Sequence, residues 1–279
     1  MPRISQKKRF FLPVWGLLLL LMSGLLAFAA APGTDPPRTV RNTSFGRGEV
    51  LRYRIHYGII NAADGEIETS NDLHRVNDRP CYKVSVTGKT TGSFDFFLRI
   101  RDTWRSYIDT AALLPQKFVL DIAESKYRKK ETMDFDHASR TVLVEDQKRN
   151  KKKTFQTPDN VQDLVSGIFF VRTVDYSKCK LGDQIKIKGF FDDEVFDFTV
   201  TFRGRETVET KAGTFRCIRL APKMPPNKLF KGEDAFAVFL SDDENKIPVL
   251  VRAEMFVGSI KLDLYEYEGL RSRLNRVAD

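Results

Sequence analysis

The chain has 279 residues, a formal charge of +9 and only three cysteines, Cys81, Cys179 and Cys217. At most one disulfide, with a thiol left over, excludes a disulfide-stapled scaffold, so the fold must rest on a hydrophobic core that a chain of this length can supply. The three histidines, His56, His74 and His137, stand far apart and none has metal-ligand spacing to another His or Cys, so no metal site and no cofactor are expected.

In chain order, the first feature is a positive stretch, Arg3, Lys7, Lys8 and Arg9, ahead of an apolar run from Phe10 through Leu17–Leu21. The run ends in small residues, the layout of a secretory signal. Ala27-Phe28-Ala29 supplies the small-x-small pattern that signal peptidase reads, which predicts residues 1–29 as the signal, with cleavage after Ala29, and residues 30–44 as a flexible mature N-terminus. Cleavage removes four of the positive charges. No cysteine stands near the cut, which excludes a lipid-modified anchor. The alternative is an uncleaved inner-membrane signal anchor, because the uncharged stretch Phe10 to Ala31 is long enough to span a bilayer; Pro13 and the Ala-rich end favour cleavage. The expectation is therefore a periplasmic or otherwise extracytoplasmic soluble protein, whose contact with the membrane is confined to the signal.

Beyond residue 44, apolar and polar residues alternate. Leu51, Tyr53, Ile55, Tyr57 and Ile59 share one face of a half-buried strand. The same period of two recurs at 82–86, 103–108, 118–122, 142–144, 185–187, 195–202, 215–220, 235–240, 249–255 and 260–267, with turn residues between the runs. Lys148-Arg149-Asn150-Lys151-Lys152-Lys153 reads as a solvated hairpin tip and not a nucleic-acid site, since an exported chain rarely meets nucleic acid and no aromatic residues interleave the run; a weak attraction to anionic lipid or polysaccharide is the alternative. One segment breaks the alternation: Thr157-Pro158-Asp159-Asn160 resembles an N-terminal cap, and Val161, Leu164, Val165, Ile168, Phe169 and Val171 follow at helical spacing. This predicts a helix over about 158–174 with Ile168 on the stripe that faces the sheet. Residues 222–234, with Leu229 and Phe230, read as a flap, and 269–279 as a tail. The pattern as a whole predicts a mainly β fold, an antiparallel barrel-like or sandwich sheet with one packed helix. Residues 45–268 form either a single domain or two lobes joined near 158–182.

Several phrases, in order, are similar to the bacterial envelope family called domain of unknown function 3108. They are Gly48-Glu49-Val50-Leu51-Arg52-Tyr53, Leu113-Leu114-Pro115-Gln116-Lys117-Phe118, the helical stretch Asp163 to Arg172, Ala212-Gly213-Thr214-Phe215-Arg216-Cys217-Ile218, Leu240-Ser241-Asp242-Asp243 with Ile247-Pro248-Val249, and Val257-Gly258-Ser259-Ile260. The resemblance covers about residues 45 to 268. It implies an exported, β-rich protein and carries no activity and no catalytic residue with it.

The chain contains no nucleophile elbow, zinc-protease motif or phosphate loop. Asp192-Asp193-Glu194 and Asp242-Asp243-Glu244 fall where hairpin turns are expected and lack the spaced ligands of a calcium loop. The densest aromatic and cationic stretch is Phe94, Phe96, Phe97, Trp104 and Tyr107 with Arg99, Arg101 and Arg105. Its rings are either alternating core residues or the lining of a site in which Arg99, Arg101, Trp104 and Tyr107 hold a glycan, or an acyl chain with an anionic head. Arg172 is placed to bond the last helical carbonyls, with a buried ligand clamp as the alternative. The reading is a non-enzymatic carrier or scaffold for an apolar or amphipathic envelope component, such as a lipid. The alternatives are a structural protein that binds another envelope protein by its surface and, below that, a glycan-active enzyme.

Overall fold

The computed structural model describes residues 38–223 and 235–277. The segments expected to form the signal peptide with its cut after Ala29, and the expected flap with Leu229 and Phe230, lie outside the described residues. Fourteen strands are present among the described residues: β1 (Val50–Tyr57), β2 (Ile60–Val76), β3 (Arg79–Thr90), β4 (Arg101–Asp109), β5 (Pro115–Glu124), β6 (Tyr127–Asp136), β7 (Thr141–Asp146), β8 (Lys151–Gln156), β9 (Gln184–Phe191), β10 (Glu194–Thr210), β11 (Gly213–Lys223), β12 (Phe236–Ser241), β13 (Pro248–Glu254) and β14 (Ser259–Glu268). Among the described residues two helices interrupt these strands, α1 (Gly92–Phe97) and α2 (Leu164–Arg172).

All strands belong to one antiparallel sheet in the order β8-β7-β6-β5-β4-β3-β2-β1-β14-β13-β12-β11-β10-β9. Two meanders, β1–β8 and β9–β14, are joined by the pairing of the first strand with the last, Val50 opposite Glu268 through Tyr57 opposite Ile260. A sheet this wide twists and curls instead of lying flat. Its two outer strands approach each other, with Phe155 on β8 and Phe190 on β9 at 5.4 Å between ring centroids. Lys129 on β6 reaches Asp192 in the β9–β10 turn at 2.9 Å. The free edge of β9 is taken up by the segment before α2: the Gln162 amide donates to the Lys188 carbonyl, and the Phe190 amide donates to the Gln162 carbonyl. The fold is thus mainly β, antiparallel and barrel-like.

The helix is shorter than its sequence pattern. It begins at Leu164, because Asn160 takes a left-handed conformation (φ 56°) and Gln162 is bound to β9, so residues 158–163 cannot be helical. Asp163 is the N-cap; its carboxylate accepts from the Ser166 amide at 2.7 Å, and Ser166 Oγ accepts from the Asp163 amide at 2.9 Å, a capping box closed by serine. Val165, Phe169 and Arg172 form the buried stripe. Ile168 does not belong to it: it is 43 % exposed, since the stripe that meets the sheet runs through positions 165, 169 and 172.

The core fills the curl in three clusters. One centres on Phe118, Leu120, Met133, Phe135 and the helix residues Val165 and Phe169. A second gathers Leu51, Tyr53, Phe215, Val249 and Leu264, and a third Tyr176, Phe202, Ile218 and Leu240. All three cysteines are free thiols; burial pushes Cys81 and Cys217 up to about 12. Both acidic clusters lie at turns. Asp192 and Asp193 adopt left-handed conformations between β9 and β10, and Asp243 accepts from the Asn245 and Lys246 amides between β12 and β13.

Candidate functional site

In an antiparallel meander successive connections alternate between the two ends of the sheet. The β1–β2, β3–β4, β5–β6, β7–β8 and β13–β14 connections therefore all emerge at one end. Three of them carry large apolar side chains turned outward. The β1–β2 turn presents Ile59, 99 % exposed; the β3–β4 connection folds into α1 and presents Phe96 and Phe97, 87 % and 79 % exposed; the β13–β14 turn presents Phe256 and Val257. Ile60 and Leu98 extend the same surface.

Specific contacts hold these tips side by side. The Gly58 amide donates to the Ser259 carbonyl at 2.9 Å, and Tyr57 Oη donates to the Val257 carbonyl at 3.1 Å. Gly258 needs its positive φ of 75°, and an added Cβ there would come within 2.9 Å of the Tyr57 ring. Tyr57 in turn meets Phe94 of α1 edge-on, 6.2 Å between centroids. Phe96 and Phe97 pack edge to face against each other at 5.4 Å. None of the α1 side chains is buried, so the helix is not held by a core. It is held by polar bonds: Arg101 grips Asp95 with Nη1 at 2.7 Å and Nη2 at 3.1 Å, while Thr90 Oγ1 donates to Asp95 at 2.7 Å and accepts from the Ile100 amide at 2.9 Å. The Arg101 hydrogen bond, ahead of that from Thr90, keeps the Asp95 carboxyl below its ordinary range.

The apolar surface continues into a cationic one. The Ser125 amide of the β5–β6 turn donates to the Arg99 carbonyl at 2.6 Å. This turn exposes Lys126, Tyr127 and Arg128. Lys148 Nζ of the β7–β8 turn donates to the Arg128 carbonyl at 3.5 Å, which brings Lys148 and Arg149 alongside. Glu124, at the base of the same arc, has its pKa raised by burial and by the neighbouring Asp102 carboxylate. The basic run is a hairpin tip, as its sequence indicates, with Lys151–Lys153 entering β8.

The four residues picked out from the sequence are not gathered into one pocket. Strand alternation puts Trp104 on the inner face of β4, packed on the core and in register with Val86 of β3 and Leu120 of β5. Arg101 and Tyr107 project from the outer face; Tyr107 stacks edge-on with His74 at 5.7 Å. Arg99 lies exposed just after α1. Phe96 and Phe97 are neither core residues nor cavity lining, because the chain turns helical at Gly92 and breaks the period of two.

Arg172 also departs from its expected role. It is 1 % exposed and bonds no carbonyl of its own helix. Nη1 and Nη2 pair with Glu49 at 2.6 and 2.7 Å, Nη2 and Nε donate to the Asn245 carbonyl at 3.0 and 3.2 Å, and the Phe45 and Phe169 rings flank the guanidinium. This is an internal clasp between the start of the sheet, α2 and the β12–β13 turn.

The profile of the family described as "Protein of unknown function (DUF3108)" matches residues 52–265. No curated protein matches the chain. Among solved structures, a beta-barrel-like protein of the domain of unknown function DUF1849 from Brucella abortus is similar in fold, with a TM-score of 0.51 and 13 % identity over 84 % of this chain and 99 % of that one. A protein from Parabacteroides distasonis, provisionally named a lipoprotein, aligns with 84 % of this chain and all of its own at 11 % identity, but at a TM-score of 0.30.

Proposed function

This chain belongs to the DUF3108 family, and from that premise we propose that it is an extracytoplasmic, non-enzymatic protein of the cell envelope, a carrier or scaffold that engages an apolar or amphipathic envelope component. The engaging surface is the end of the barrel that bears Ile59, Phe96, Phe97, Phe256 and Val257. One observation carries the reading: five large apolar side chains stand exposed on three adjoining connections, and they are braced there by hydrogen bonds that do not bury them. Contiguous exposed apolar surface on a soluble fold marks an interaction site. The apolar side chains of the core pack on one another, with Trp104 against them, which favours engagement at the surface over enclosure.

The test is calorimetric titration of the exported, delipidated protein with oleate below its micelle concentration, and with glycan fragments. Saturable oleate binding that is lost in Phe96→Ser/Phe97→Ser, with the fold intact, supports the proposal. A response to glycan alone, or equal oleate binding by parent and variant, refutes it.

A further inference from the structure

The order of residues along the tip-bearing end indicates which apolar partner it fits. Moving from the β13–β14 turn through the β1–β2 turn and α1 to the β5–β6 and β7–β8 turns, exposed side chains change from Phe256, Val257, Ile59, Phe96 and Phe97 to Arg99, Lys126, Arg128, Lys148 and Arg149. These are not separate patches, because each connection bonds to the next: Tyr57 to Val257, Tyr57 against Phe94, Ser125 to Arg99, Lys148 to Arg128. The acids on this arc are largely occupied. Asp95 is bound by Arg101, and Asp146 accepts from the Lys148 and Arg149 amides and pairs with the Arg149 guanidinium at 3.6 Å. The more acidic β9–β10 tip, Asp192 to Glu194, emerges at this same end and borders the cationic turns, with Asp192 held by Lys129.

We infer that this end docks on the surface of an anionic lipid bilayer, Ile59, Phe96, Phe97, Phe256 and Val257 entering the acyl boundary while Arg99, Lys126, Arg128, Lys148 and Arg149 meet the phosphates. The inference rests on the proposed function and names its partner. A protein partner would present a fixed counter-surface and has no need of cations beside the apolar tips, whereas a monolayer of anionic headgroups over acyl chains offers both chemistries at once, separated by depth. Interfacial segments bury apolar side chains about 5–10 Å below the headgroups and draw further affinity from anionic lipid. Each Lys or Arg close to such a surface strengthens binding about fivefold, and salt weakens the effect. No helix among the described residues is long and apolar enough to cross a membrane.

The test is co-sedimentation of the exported, delipidated protein with vesicles of pure phosphatidylcholine and with vesicles containing one third phosphatidylglycerol, at low and high salt. Two variants are compared with the parent after their circular dichroism shows an intact fold: Phe96→Ser/Phe97→Ser, and Lys126→Glu/Lys148→Glu/Arg149→Glu. The expected results are salt-sensitive binding that prefers the anionic vesicles and falls about 100-fold or more in the charge variant, three cations at about fivefold each, and about tenfold or more in the apolar variant. Equal binding to both vesicles, or binding untouched by either variant, overturns the inference. Oleate binding without vesicle binding overturns the bilayer as partner and leaves the proposed function standing; failure to bind either overturns both. Dimers that disappear in the apolar variant, without vesicle binding, would assign the surface to a second copy of this chain.

Discussion

Glu49→Ala should cost the fold about 3–5 kcal/mol, because it strands the Arg172 guanidinium in the interior. In the parent this group is enclosed by two carboxylate oxygens at 2.6 and 2.7 Å, the Asn245 and Ser44 carbonyls and two rings, with the side chains of both partners at most 1 % exposed. Removing the carboxylate leaves only neutral carbonyls for a full charge that water cannot reach. Against the roughly 5–15 kcal/mol that holds a domain together, the loss is large. With a urea dependence of about 2 kcal/mol per molar, the unfolding midpoint should fall by about 2 M. The double replacement Glu49→Leu/Arg172→Met should recover much of this, since apolar residues of similar volume often substitute for a buried pair without loss. A midpoint for Glu49→Ala within about 0.3 M of the parent, or a double variant no more stable than either single one, would refute the clasp.

On α2, Ile168→Asp should melt within a few degrees of the parent, whereas Phe169→Ala should lose about 3–5 kcal/mol, because only the latter empties the core; thermal denaturation separates them, and unfolding by Ile168→Asp would put that side chain back on the buried stripe. Asp163 is fully buried and its pKa is pushed up to about 6, mainly by desolvation, against the ordinary 3.8. A raised folded value favours the protonated form, so its contribution is fully present below about pH 4 and is lost as the pH rises through 6, about 3 kcal/mol in all. Asp163→Asn keeps the cap and should flatten the change in denaturation midpoint between pH 4 and 7; an unchanged pH profile would contradict the assignment. Intact-mass measurement of exported material should begin at Ala30, and full-length chain recovered only in membranes would instead establish the signal anchor.

The strands that were legible in the sequence are those with one face in the core, such as Leu51-Tyr53-Ile55 on β1 and Ile260–Tyr267 on β14. β2, β6 and β8 carry little alternation to read. β2 mixes Gly65 with polar residues, six of the ten residues in β6 are charged, and β8 opens with three lysines. On the outermost strand β8 the lysines serve to discourage edge pairing with another chain, a role that erases the apolar pattern. The helix was visible but its start was not, because the Gln162 bond to β9 is a long-range event that overrides the local Thr157-Pro158 signal. Glu49 gave no sign of its pairing with Arg172, which lies 123 residues away. The docking end was hidden for a related reason: Phe96 and Phe97 look like core residues until the turn into α1 leaves them outside, and Ile59, Phe256 and Val257 join them only through the pairing of β1 with β14.

The central claim is that the end bearing Phe97 is the working surface. In-cell photo-crosslinking tests it directly: a photoreactive residue is placed at Phe97 in one strain and, in another, at Ser139, exposed in the β6–β7 turn at the opposite end of the sheet. The account predicts crosslinks to envelope lipid from position 97 and none from 139. Adducts from 139 alone, or equal labelling from both ends, would contradict it.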